Sequence, residues 1–525
     1  MKDSIYPIYP LYPIYPTGSA FEAGCAESGS IAPVYKEIPY CRPADYYDVL
    51  KSKNSFLLES IKGPYNIARY SYIGFDPYLI LTARAGIAGI AGIVEIETVP
   101  SAQTPKIGTS VSLKSPLGRL RELTGAYPQS LSPDLPPFQG GAVGFFSYDF
   151  VRYFEKIPNS VVDDLKIPMA HFFMIDKLIA FDHKEKKAWI VVCPAARQTR
   201  FGFNAIGTSW REYYDQAAGV IEEYSTLLKA VRDSGGSVPV TERGDVEILY
   251  NMTKSQYMGM VRRALEYIGA GDIFQANLSQ RLSAEIKNAS PWDIYRVLSF
   301  INPSPFACYF DFGDYYIVSS SPERLVSVVP GSTGASVETR PIAGTRPRGR
   351  DTREDELMRA ELLLNEKERA EHIMLIDLER NDIGRVCEYA TIGVDELMIT
   401  EEYSHVIHIV SNIRGRLKDG KDCFDVIRAT FPGGTITGVP KVRCMEIIDE
   451  LEPVARGPYT GSAGYIGFSS NMDLNIIIRT FVIKGGMAYV QAGAGIVADS
   501  DPEREYFETL KKAEALIRTI KAAAR

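Results

Sequence analysis

The chain has 525 residues, with 58 Lys and Arg against 65 Asp and Glu and a formal charge of −7. Its one basic cluster is the short RPRGR at 346–350, so a nucleic-acid partner is not expected. A 45% hydrophobic content supports a sizeable core, and the length predicts roughly three domains, or fewer if the sheets are large. Seven cysteines, none spaced as Cys-x-x-Cys, read as the reduced thiols of a cytoplasmic enzyme, not a disulfide framework or zinc site. The longest apolar run, 85–94, is too short and glycine-rich to span a bilayer, and no segment has the order of a signal peptide.

Residues 5–16 hold four tandem triplets, IYP-IYP-LYP-IYP. Proline at every third place forbids helix and favours an extended, polyproline-like segment, so 1–33 are expected to form a disordered tail, with partner docking as the alternative. A triplet echo at 87–92, IAG-IAG, is expected at a strand or loop edge. Residues 34–193 alternate short β-rich runs with turns (SFLLES, RYSYIG, GGAVGFFSYDF, FFMIDKLIAF, AWIVV), which predicts an antiparallel sheet. Residues 194–252 form a connection with a predicted helix over 211–232 and a linker, DSGGSVPVTERGD. Residues 253–520 begin with a predicted helix at 254–268, after which strand runs (RLSAEI, PFACYFDF, YYIVSSS) alternate with long helices. Strands grouped with strands, then helices between them, argue an α+β fold.

Several stretches carry chemistry. Gln275, in GDIFQANLSQR, is by itself a polar residue in a strand, and Glu323, in SSSPERL, a loop acid. The run LLLNEKERAEHIMLIDLERNDIGR from 362 to 385 predicts one uninterrupted helix with Glu368 and Glu371 about a turn apart and His372 beside them. Alone, these glutamates read as a solvated face with Lys367 and Arg369 at hand. FPGGTITGVPKVRCMEIIDELEP at 431–453 delivers backbone N–H groups to a helix start. It is not a nucleotide phosphate loop, because Val439 and Pro440 follow Gly438 where that pattern needs Lys and Ser or Thr. In VQAGAGIVADSDPEREYFETLKKAEAL at 490–516, Gly493 and Gly495 leave amides open to an anion. Asp501-Pro502-Glu503 starts a helix on which Glu508 and Lys512 share a face. Alone they read as a surface ion pair; beside the 362–385 run, Glu508 becomes a candidate partner for Glu371.

Together these segments resemble component I of anthranilate synthase and, more broadly, the chorismate-utilising enzymes, over roughly 35–520. The resemblance implies an α/β-sandwich of two stacked antiparallel sheets flanked by helices, with the site in the cleft between them. It implies that Glu371 and Glu508 bind Mg²⁺, with Glu368 close behind. A pocket of glutamates would repel the dicarboxylate chorismate unless a hard cation stood between them. By the same resemblance Arg479, Tyr459, Gly493 and Gly495 hold the enolpyruvyl carboxylate, and Thr435 the ring carboxylate. Lys512 adds positive charge, Glu323 is the general acid, and His408 is a ring-side histidine. His372 is either catalytic or a buried structural hydrogen-bonding group.

Two positions discriminate among the family's reactions. Water-using members carry Lys where Gln275 stands, and Gln cannot serve as that base. Aminodeoxychorismate synthases commonly carry Lys where Ala343 stands. Without either lysine the nucleophile comes from outside, and ammonia is the candidate. Ser60, Arg69 and Pro305 resemble the tryptophan feedback pocket of anthranilate synthases, with ordinary strand and turn residues as the alternative. FPGGTITG and NMDLNIIIRT read closer to the aminodeoxychorismate branch. No Gly-x-Cys-x-Gly nucleophile turn or His-x-Glu pair occurs, so a separate glutamine amidotransferase subunit is expected to deliver ammonia. A non-catalytic sensor or scaffold is the competing class; it would have lost acids or anion-binding residues that this chain retains.

Overall fold

The structure, a computed structural model, describes residues 30–85, 93–98, 109–112, 115–201, 210–233, 235, 246–286, 289–402 and 406–523. The Tyr-Pro repeat, the 87–92 triplets and most of the 233–245 linker lie outside these residues. Two 12-stranded sheets, antiparallel throughout, form the body of the molecule. The first runs from Val34–Ile38 through Lys187–Val192, Lys177–Asp182, Tyr70–Gly74, Ser55–Glu59, Phe306–Asp311, Tyr315–Ser321, Thr480–Lys484 and Met487–Ile496 to Gln275–Glu285 and Leu249–Tyr250. The second runs from Ile342–Pro347 through Val406–Arg416, Ser336–Thr339, Arg324–Val329, Met472–Asn475, Ser462–Gly467, Gly141–Phe146, Ala170–Ile175 and Leu79–Arg84 to Ile93–Thr98 and Thr109–Ser112. Strands from 34–193 and from 253–520 contribute to both sheets.

Several strands are buried along their whole length, including Gly141–Phe146, Ala170–Ile175 and Lys177–Asp182. A strand covered on both faces reads as a continuous apolar run instead of an alternating one. The inner cover is the other sheet: Tyr72 of the first meets Tyr465 of the second at 5.6 Å, and Phe145 of the second meets Phe312 at 5.3 Å beside the first. The outer cover is helical. Trp210–Leu228 lies on Val34–Ile38 and Lys187–Val192, Pro502–Ala523 on Met487–Ile496, and Glu366–Gly384 on Ile342–Pro347 and Val406–Arg416. No described helix is long and apolar enough to cross a membrane.

Two expectations need correction. FFMIDKLIAF is two strands, Ala170–Ile175 and Lys177–Asp182, in different sheets; the chain changes sheet at Asp176, whose carboxylate Arg197 binds at 2.5 Å. The predicted helix over 362–385 is likewise two, Thr352–Leu364 and Glu366–Gly384. Asn365 interrupts them with extended backbone (φ −71°, ψ 108°), and its side chain accepts from Glu368 N at 3.0 Å. A short amide side chain competes for backbone donors and caps a new helix even where neither Gly nor Pro intervenes. Removing that cap with Asn365→Ala should cost about 1 kcal/mol in denaturant unfolding, with no change in the slope of the transition.

Candidate active site

Two neighbouring crossings between the sheets set the site. The chain leaves the first sheet after Tyr315–Ser321 and enters the second at Arg324–Val329, so Glu323 stands in the turn between them. It returns from Met472–Asn475 to Thr480–Lys484 through 476–479, which carries Arg479. The crossings bond to each other: Ile476 N donates to Glu323 O at 3.0 Å, and Ser320 N to Arg479 O at 3.2 Å.

Glu323 is 6% exposed and its Oε1 accepts from Thr435 Oγ1 at 2.8 Å. Burial pushes its carboxyl up to about 7, against the Thr435 hydrogen bond and the Lys512 and Arg479 charges, which favour ionisation. Such a carboxyl holds a proton near neutral pH and can surrender it, as a general acid must. His408 donates from Nδ1 to Gly344 O at 3.2 Å; burial, with the Arg479 charge adding, lowers it to about 4, so its ring is neutral near pH 7.

The anion side is built on facing strands. In Gln275–Glu285 and Met487–Ile496, Asn277 lies opposite Gly495 and Ser279 opposite Gly493. A Cβ on Gly495 would stand 2.6 Å from Gln275 Nε2, and one on Gly493 2.8 Å from Tyr459 Oη. The absent Cβ is what lets those two side chains close on the strand. Lys512 donates to Gly493 O at 3.0 Å and pairs with Glu508 at 2.9 Å.

The acids of Glu366–Gly384 approach from the second sheet. A Cβ on Gly344 would lie 2.6 Å from Glu368 Oε2, so Glu368 and His408 meet at the same glycine, beside Ala343. Arg346 binds Glu368 Oε1 at 2.6 Å, while Glu368 Oε2 is buried without a hydrogen-bond partner. Glu371 is half-buried one turn further on. Among the described residues, no three His, Cys, Asp or Glu side chains stand gathered as a metal cage. The donor chemistry still fits a hard divalent cation, since the available groups are carboxylates and one carboxylate oxygen is buried and unsatisfied. His372 takes the structural alternative: it is fully buried and shares a 2.7 Å hydrogen bond from Nε2 with Ser411 Oγ, tying its helix to Val406–Arg416.

At the ends of the two strands next to Tyr315–Ser321, where Phe306 lies opposite Ser321, Ser60 Oγ donates to Pro305 O at 3.0 Å, so these two candidate pocket residues meet. Arg69 turns instead to Asp182, with Nη2 2.7 Å from Oδ2, and clamps strands Tyr70–Gly74 and Lys177–Asp182 together. Beside Ser60, Glu59 accepts from Tyr295 Oη at 2.6 Å, and burial pushes it up to about 7.

Two site residues escaped the sequence reading. Asn277 lies two residues beyond Gln275, hence on the same strand face, and its buried Oδ1 packs on Gly493 without a donor. Glu379, three turns beyond Glu368, is buried and held well above the usual carboxylate range by desolvation, with the Glu323 charge adding. Strand and helix periods, applied from Gln275 and Glu368, point at both.

Residues 56–518 match the sequence model of the chorismate binding enzymes. The anthranilate synthase component 1 of Acetivibrio thermocellus is 42% identical over 480 residues, spanning 90% of this chain and 91% of that one. The aminodeoxychorismate synthase component 1 of Bacillus subtilis is 40% identical over 503 residues, spanning 93% and 97%. The crystal structure of anthranilate synthase component I from Streptococcus pneumoniae superposes with a TM-score of 0.70 at 35% identity, covering 86% of this chain and 92% of that one.

The raised Glu323 gives a stability test. A carboxyl whose folded pKa of about 7 exceeds the ordinary 4.5 favours folding fully below 4.5, and that contribution is lost as pH rises through 7. Glu323→Gln removes this dependence. The melting temperature of the variant minus that of wild type should therefore increase from about pH 4 to about pH 8.

Proposed function

The chain belongs to the chorismate-binding enzyme family, and we propose that it converts chorismate and ammonia into anthranilate, pyruvate and water, the first step of tryptophan biosynthesis, in the cytoplasm. The observation that carries this reading is the buried Glu323 on Thr435, held near 7 between the cations Arg479 and Lys512, with Gln at 275 and Ala at 343. Arg479, Tyr459 and the amides of Gly493 and Gly495 hold the enolpyruvyl carboxylate, Arg479 through the fork that suits a planar anion. Thr435 takes the ring carboxylate, and Lys512 adds positive charge. Glu323 gives its proton to the departing C4 hydroxyl, which leaves as water. His408, neutral at working pH, would accept a ring proton as aromaticity and loss of pyruvate follow. Neither Gln275 nor Ala343 supplies a base or nucleophile, so ammonia adds at C2.

Glu371 and Glu508, with Glu368 behind them, would hold Mg²⁺. When bound, the ion supplies a Lewis acid for the ring carboxylate. A glutamine amidotransferase subunit supplies the ammonia, which agrees with the component 1 names of the relatives. L-Tryptophan binding around Ser60 and Pro305 would regulate the reaction; Arg69, committed to Asp182, joins only if that pair opens. The second reading, amination to aminodeoxychorismate with the pyruvyl group retained, is supported by the Bacillus subtilis relative.

Chorismate, Mg²⁺ and an ammonium salt decide between them. Anthranilate is fluorescent and appears with equimolar pyruvate, whereas an aminated product without pyruvate refutes the first reading. Glu323→Gln should lower kcat about 10²–10⁴-fold. Glu371→Gln and Glu508→Gln should abolish Mg²⁺-dependent turnover while leaving the far-UV circular dichroism unchanged; full activity in either refutes the metal assignment.

A further inference from the structure

Glu452 and Arg456 follow the helix Lys441–Leu451 and form a buried pair, each 3% exposed. Arg456 Nε donates to Glu452 Oε2 at 2.9 Å and Nη2 to Oε1 at 2.7 Å. The remaining donors reach Ile436 O (3.0 Å), Thr460 Oγ1 (3.2 Å) and Asn277 O (2.7 Å). Glu452 Oε1 also accepts from Ser279 N at 2.8 Å and Ser279 Oγ at 2.7 Å, and Gln491 Nε2 donates to Ser279 Oγ at 2.8 Å. All five guanidinium N–H groups are thus used inside the protein, and none is left for a ligand.

Each group the pair touches stands beside a candidate substrate contact. Ile436 follows Thr435, Thr460 follows Tyr459, Asn277 lies opposite Gly495, and Ser279 opposite Gly493. Thr460 also has φ +59°, a left-handed conformation costly for a β-branched residue. Its hydroxyl donates to Tyr459 O at 2.6 Å while accepting from Arg456, so the strained turn that aims the Tyr459 ring is held by this pair. Buried ion pairs contribute little net stability against well-packed apolar groups, but fixed forks specify geometry.

We infer that Arg456, locked by Glu452, is the positioning residue that keeps the Thr435 loop, the Tyr459 turn and the Gln275 and Gly493 strands in register around chorismate. This rests on the family reading of the site, not on which product forms.

The decisive variant is Arg456→Lys, which preserves the charge beside Glu452 but offers three donors on one nitrogen. Chorismate consumption with ammonium salt, assayed below the melting temperature, should show kcat/KM falling roughly 10–100-fold, with both kcat and KM displaced. Ser279→Ala, which leaves both charges in place, should produce a smaller fall in the same direction. A purely structural role predicts otherwise: Arg456→Lys would melt earlier yet keep wild-type kcat and KM, and that result overturns the inference. If Arg456→Lys does not fold, Ser279→Ala decides alone, wild-type kinetics counting against the inference. The reaction assignment is judged on the wild-type product, and the positioning role on the ratio of variant to wild type.

Discussion

The molecule depends on how its chain passes from one sheet to the other. A strand that ends in one layer and resumes in the other must expose its peptide groups at the crossing, and those groups need partners. Here the crossings at 322–323 and 476–479 satisfy one another, through Ile476 N on Glu323 O and Ser320 N on Arg479 O. Ser321 Oγ adds a bond to Ile476 O at 2.6 Å. The acid and the principal cation are therefore fixed relative to each other by main chain. Arg479 accepts φ 51° to complete the passage, a conformation that only a rigid frame sustains.

Charge is balanced at close quarters around that frame. Four buried or half-buried carboxyls, Glu323, Glu368, Glu371 and Glu379, share the site with Arg346, Arg479, Lys441 and Lys512. Lys441 is spent on Asp382 at 2.5 Å, which also fastens the acid-bearing helix to the start of the helix Lys441–Leu451. Arg346 is spent on Glu368. The Arg479 and Lys512 charges act on Glu323, and Lys512 is shared with Glu508 and Gly493 O. Burial keeps Glu323 and Glu379 protonatable, so the cleft does not present a wall of fixed negative charge to a dicarboxylate.

What the sequence disclosed divides along physical lines. The sheets and most helices were legible because strand patterning is local, and short motifs singled out Glu323, Thr435, Tyr459, Arg479, Gly493 and Lys512, which the fold brings together. The break at Asn365 was missed because a single amide cap outweighs an otherwise favourable helical run. The division of FFMIDKLIAF was missed because periodicity cannot report which sheet a strand joins. Glu452 and Arg456 were missed because their burial follows from segments more than a hundred residues away. Arg69 was read from its motif, and the structure shows the same guanidinium committed to Asp182.

The interleaving of the sheets bears on how the protein is made. Ser55–Glu59 is zipped to Phe306–Asp311, and Gly141–Phe146 to Ser462–Gly467, so early strands wait for late ones. During synthesis the strands of 34–193 can pair among themselves, but the edges Ser55–Glu59 and Gly141–Phe146 stay open until 306–311 and 462–467 leave the ribosome. Such long-range pairing folds slowly and exposes strand edges that invite association. The amino-terminal stretch therefore carries one open edge in each sheet until the catalytic one is complete, and a nascent chain of this kind is a natural client for chaperones.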